Sequence, residues 1–198
     1  MSTTLLQHSV FVVEQRKQVF EMDTNYDILD ADGHTIGTVR QVGQSAARKV
    51  FRLVAKMEEY LEHKFEVTDT SGTVILRLQR PAKLRKSRLV VSDADGSEIG
   101  EIAQLNNLGK VRFGLTSGGQ PIGELRGKNI RDRSFTILDV SENPVGRVSK
   151  KLEGMKGILR TEDTYAVQVD AELDGPLRML SIAAGIGLDL ALHQTGDE

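Results

Sequence analysis

The chain contains no cysteine, which excludes a disulfide framework, a thiolate metal site and a catalytic thiol together. That absence fits a reducing compartment. It also excludes palmitoylation and prenylation, and a Ser at position 2 excludes N-myristoylation. Tryptophan is missing too, and Phe and Tyr number nine among 198 residues, so few rings are left to stack on nucleic-acid bases. A membrane-spanning helix needs roughly 20 apolar residues. The uncharged apolar run Met179 to Leu188 has ten, bracketed by Arg178 and Asp189. Met1 to Leu6 has neither the basic start nor the apolar core of a signal peptide. A cytoplasmic chain is expected. The net charge of −2 argues against wholesale nucleic-acid binding, although the charge is spread unevenly.

What is present is a repeat. Tyr26 to Val39 matches Leu89 to Ile102 position for position, through Asp30-Ala31-Asp32-Gly33 in one and Asp93-Ala94-Asp95-Gly96 in the other. Phe135 to Val148 follows the same template, Phe65 to Leu78 follows it loosely, and Phe113 to Leu125 follows it with one residue deleted. Tyr165 begins a sixth unit. Five of the nine Phe and Tyr residues open these units, a concentration that marks the repeat as real.

Each unit reads as a β-hairpin. The opening aromatic and the aliphatic residue two places on (Tyr26/Ile28, Phe65/Val67, Phe135/Ile137, Tyr165/Val167) share one face of a strand. The Asp- and Gly-rich cluster supplies the turn. The return strand then opens with apolar-Gly-x-apolar at Ile36-Gly37, Ile99-Gly100, Ile122-Gly123 and Val145-Gly146. Apolar residues three apart break a two-residue period, and a β-bulge at the Gly repairs it. Repeated bulges curve a sheet toward closure, so a barrel is expected.

Two helices interrupt the hairpins. Gln44 to Glu62 carries Ala46, Val50, Leu53, Val54, Met57 and Leu61 at helical spacing. The second starts after Gly175-Pro176, runs from Leu177 to about His193, and leaves a short tail over 194–198. It is apolar all round, which means burial. Its small residues Ser181, Ala183, Ala184, Gly185 and Gly187 make it thin enough to be an axle inside a barrel.

Hairpin repeats, the basic segment Arg80-Pro81-Ala82-Lys83-Leu84-Arg85-Lys86-Ser87-Arg88, an acidic stretch and a final apolar helix together resemble the phospholipid scramblase-related proteins. Those group with the plant LURP-one-related proteins and the tubby C-terminal domain. The resemblance covers about residues 10 to 193. It implies an α+β, mainly β fold in which a closed antiparallel barrel of about twelve strands encloses the C-terminal helix, with 1–198 a single domain.

No nucleophile motif, phosphate loop or metal-spaced histidine set is present among His8, His34, His63 and His193. An enzyme is not expected. Gly185-Ile186-Gly187 reads as helix packing, and the Asp-x-Asp-Gly clusters read as turns, because neither continues into a calcium loop. The resemblance implies a calcium segment just before the last helix, where Asp163, Glu172 and Asp174 match by position but Thr161 stands in place of the first acid. A solvated strand and loop is the better reading there, and no cofactor is expected.

The basic residues are the more specific signal. Arg80, Lys83, Arg85, Lys86 and Arg88 lie in a stretch without an acid, and Lys150, Lys151 and Lys156 form a second group. Such runs suit anionic lipid headgroups, each base contributing about 1 kcal/mol near a membrane surface. The resemblance points the same way, since tubby domains bind phosphoinositides through basic residues. The expectation is a peripheral module for phosphoinositide or phosphatidylserine at the inner face of the plasma membrane, with no nucleic-acid partner. The alternative is a regulatory barrel that binds a protein or small apolar ligand away from membranes.

Overall fold

Residues 4–15, 25–43, 62–81, 87–106, 111–127, 134–149 and 164–192 are described by a computed structural model. They form one closed antiparallel barrel threaded by a helix. After a short helix α1 (Thr4–Gln7) come β1 (Val10–Gln15), β2 (Asn25–Leu29), β3 (Thr35–Val42), β4 (His63–Asp69), β5 (Val74–Arg80) and β6 (Arg88–Asp93). They are followed by β7 (Glu98–Gln104), β8 (Arg112–Ser117), β9 (Gln120–Gly127), β10 (Ser134–Asp139), β11 (Pro144–Ser149) and β12 (Thr164–Val169). The final helix α2 spans Gly175–Leu192. Every strand pairs with its sequence neighbours, and β12 closes the barrel on β1.

The repeat aromatics do what their spacing implied. Tyr26, Phe65, Phe113, Phe135 and Tyr165 all lie inside the barrel, none more than 5% exposed. Five units form hairpins, and the sixth is split: β12, opened by Tyr165, pairs with the first strand of the chain.

The bulges are present but sit one residue earlier than expected. Ile28 pairs with Gly37 and Leu29 with Thr35, which leaves Ile36 as the extra residue. The same shift leaves Ile75, Ile99, Ile122 and Val145 out of register in the other four hairpins. The glycines have a different purpose. A Cβ on Gly100 would lie 2.2 Å from the Thr116 carbonyl oxygen, and on Gly37, Gly123 and Gly146 it would lie 2.5–2.7 Å from a carbonyl of another strand. Only glycine allows that approach after the bulge. The loosely matching hairpin has Leu76 at this place and still bulges at Ile75.

Four turns are built alike. Asp30, Asp69 and Asp139 each accept, through Oδ1, the backbone N–H groups two and four residues on, at 2.8–2.9 Å. Asp93 accepts from Gly96 and Ser97. These bonds favour the ionised carboxylate. The backbone N–H of His34 foremost holds Asp30 below the ordinary range, and the Asn143 side chain foremost does so for Asp139.

The axle is real. Leu180, Ser181, Ile182, Ala183, Ala184 and Ile186 are at most 2% exposed. The helix touches the inner wall where it is thinnest: Gly185 lies against Val167 and Gly187 against Leu89, with no room for a side chain. At its start, Arg178 donates to the carbonyl oxygens of Leu6 (2.7 Å), His8 (3.2 Å) and Asp170 (2.8 Å). It thereby ties the N-terminal segment to the link before the helix.

Candidate functional site

An up-and-down barrel has two rims, and this one sorts its connections unequally. At one rim are the tight turns 30–34, 70–73, 94–97, 118–119 and 140–143 and the link 170–174. At the other the chain leaves and re-enters the wall through 16–24, 43–62, 81–87, 105–111, 128–133 and 150–163. The turn rim carries seven acids and no Lys or Arg in these connections. The opposite connections carry seventeen of the 26 Lys and Arg residues and nine of the 28 acids. A net charge near zero thus hides turns that are acidic at one rim and links, departing from the other, that are basic in sequence.

The expected headgroup residues follow this division. Lys83, Arg85 and Lys86 lie outside the described residues, between β5 and β6, and Lys150, Lys151 and Lys156 lie outside them between β11 and β12. Both links start and finish at the basic rim, on opposite sides of the barrel. Arg88, first residue of β6, is exposed there and pairs with Glu101 at 3.0 Å. Arg80 differs. Alternation along β5 turns it inward with Leu76 and Leu78, and it is 7% exposed. It sits inside the barrel mouth, opposite His63 in the register, where His63 Nδ1 is 2.6 Å from Gln41 Nε2. Arg80, expected among the headgroup residues, is turned away from the surface by the two-residue period of β5.

Of the acids implied for calcium, Glu172 and Asp174 lie in the link between β12 and α2. Asp163 lies outside the described residues. Of the expected helix Gln44 to Glu62, residues 44–61 also lie outside the described residues. Among the described residues, Asp30, Asp32 and His34 bring donor atoms within 4.8 Å of one another. Asp30 is already occupied in holding its turn.

The outer wall is charged. On β8 and β9, Glu124 accepts from Arg112 Nη2 at 2.6 Å and from Arg126 Nε at 3.0 Å, and Arg126 continues to Glu142 at 2.6 Å. Lys64, Arg77 and Arg88 also point outward. A barrel that spans a membrane turns an apolar band outward and its polar residues inward; this wall has the reverse arrangement. Among the described residues, no helix is long and apolar enough to cross a membrane.

The Glu124 network yields a pH-dependent expectation. The hydrogen bond from Arg112 foremost, aided by Arg126, holds the Glu124 carboxyl at about 2. A depressed carboxylate stabilises the fold above its ordinary pKa of 4.5 and loses that contribution as pH falls toward 2. Glu124→Gln should cost about 1–2 kcal/mol at pH 7, a figure discounted for the exposure of both arginines. Urea unfolding at stepped pH should show the two chains converging by about pH 2.

Comparison with known proteins agrees with the architecture. The scramblase family model matches residues 2–194. The chain belongs to the scramblase family. A phospholipid scramblase family protein of Schizosaccharomyces pombe is 24% identical over an alignment of 170 residues that covers 76% of this chain and 43% of that protein. The chain therefore aligns with less than half the length of this relative. No solved structure matches.

Proposed function

We propose that this scramblase-family barrel is a peripheral lipid-binding module that docks on anionic membrane surfaces through its basic rim. The observation that supports the reading is the segregation of charge between the connections that leave from the two rims. A surface rich in phosphatidylserine or phosphoinositides attracts bases at about 1 kcal/mol each and repels the acidic turns. The barrel would therefore approach with one end. Both basic groups singled out in the sequence, Lys83/Arg85/Lys86 and Lys150/Lys151/Lys156, belong to links that leave from and return to that end, and Arg88 stands at its edge. Buried Arg80 is not part of the contact set. The reading is non-enzymatic, and it places the protein in the cytoplasm or at the inner face of the plasma membrane. Translocation of lipid is not part of it, because α2 lies inside a wall whose outer face is charged and offers acyl chains no path.

The test is co-sedimentation of the full chain with vesicles of neutral lipid alone or with phosphatidylserine or phosphoinositide added. Binding should appear with the anionic lipids at low salt and fade as ionic strength shortens the Debye length. A chain that stays in the supernatant with every vesicle at low salt would leave the regulatory barrel, with a protein or small apolar ligand, as the account.

A further inference from the structure

Two of the hairpin turns are twins with one difference. Asp30-Ala31-Asp32-Gly33-His34 links β2 to β3, and Asp93-Ala94-Asp95-Gly96-Ser97 links β6 to β7. Residues 31–34 and 94–97 are exposed, and both turns put a glycine at positive φ, 86° at Gly33 and 96° at Gly96. An Asp-Gly bond is open to attack by its own nitrogen, because glycine has no Cβ to crowd the approach to the preceding carboxyl. What separates the two turns is the residue after the glycine.

Ser97 ties the second turn down. Its hydroxyl and its backbone N–H, the latter shared with Asp93, donate to Asp95 Oδ1 at 2.8 and 3.1 Å. The Gly96 N–H is divided between the carbonyl oxygen (3.2 Å) and Oδ1 (3.1 Å) of Asp93. Arg77 Nε, from β5, adds a bond to the Ala94 carbonyl oxygen at 3.2 Å. The Asp93 side chain foremost, and Ser97 after it, hold the Asp95 carboxyl below its ordinary range. An ionised carboxylate resists attack by an amide nitrogen. In the first turn His34 has no hydroxyl to send back. Its N–H goes to Asp30 Oδ1 at 2.8 Å, and the Gly33 N–H goes to the Asp30 carbonyl oxygen at 3.1 Å. None of the described residues donates to the Asp32 carboxylate.

We infer that Asp32–Gly33 is a site of spontaneous β-aspartyl formation and that Asp95–Gly96 is protected from it. The Gly33 nitrogen bonds to Asp32 Cγ, and the amide proton leaves with the carboxyl hydroxyl as water, closing a five-membered imide. Water then opens the ring at the main-chain carbonyl carbon of Asp32. The chain thereafter runs through Cγ, one methylene longer, and its mass is unchanged. The new link falls between the Asp32 and His34 N–H groups that Asp30 holds, so the β2–β3 turn loses its anchor as it ages. A third Asp-Gly bond, Asp174–Gly175, opens α2. There the Asp174 carbonyl oxygen accepts the Arg178 N–H at 3.3 Å, and the first turn of a buried helix keeps it from rotating into a ring. The modification stands whether or not the protein binds lipid.

The test is incubation of the full chain at neutral pH followed by peptide mapping, which separates a β-aspartyl peptide from its parent at equal mass. The Asp32 form should accumulate about tenfold faster than the Asp95 form, because hydrogen bonds must break before Asp95 can react. His34→Ser should slow the first site toward the second, and Ser97→His should speed the second toward the first, with melting transitions unchanged. A control needs no substitution: in urea strong enough to unfold the chain, the two wild-type rates should converge. Equal rates in the folded chain, or no β-aspartyl peptide at Asp32, would overturn the inference. So would a gap that persists in urea or survives both exchanges, since the turn's hydrogen bonds would then not be its cause.

Discussion

A chain ending before Leu177 should fail to fold: expressed without detergent it should aggregate and show no cooperative melting transition. Residues of α2 are the centre around which the inner wall packs. Leu180, Ile182 and Ile186 have no exposed surface, and the wall side chains Ile28, Leu76, Leu115 and Ile137 are equally closed off. Removing one large core side chain costs about 2–5 kcal/mol. Removing the whole helix leaves a cavity that a closed, hydrogen-bonded barrel cannot collapse to fill. The loss exceeds the 5–15 kcal/mol by which domains are stable. Gly185→Leu tests the same fit without truncation. Its Cβ would lie 2.3 Å from a Val167 methyl, and overpacking of that kind costs about 1–3 kcal/mol. A truncated chain that stays soluble with an unchanged melting transition would show that the helix does not support the barrel.

Replacing Lys83, Arg85 and Lys86 together by Glu should abolish binding to anionic vesicles and leave the melting temperature nearly unchanged. The three lie between Pro81 and Ser87, in a link that both starts and ends at the basic rim. Three lost attractions of about 1 kcal/mol each, with three new repulsions, reduce affinity more than a hundredfold. Salt should weaken the wild-type chain in the same way. Retained binding after the triple reversal would move the contact elsewhere on the rim or remove it.

The hairpins were legible because an aromatic and an aliphatic residue two apart mark a strand with one buried face, and Tyr26, Phe65 and Phe135 keep that pattern. β1 was not legible by the same rule. Val10-Phe11-Val12-Val13 shows no alternation, since Val12 is buried on the outside while Phe11 and Val13 are buried within. Arg80 adjoins a basic run and so resembles a headgroup base, whereas its place two residues after Leu78 decides its direction. The two-ended charge is written in the sequence, but it emerges only when alternate connections are assigned to opposite rims.

The central claim is that the barrel meets an anionic bilayer with its basic rim, and the lack of tryptophan allows that to be measured at single positions. Leu105, 46% exposed beside β7 at the basic rim, and Val140, 70% exposed at the acidic rim, are each replaced by Trp in separate chains. Emission is then followed as phosphatidylserine vesicles are added at low salt. The account predicts a blue shift and reduced quencher access for Leu105→Trp, and no change for Val140→Trp. A shift at Val140→Trp alone, or equal shifts at both, would contradict it.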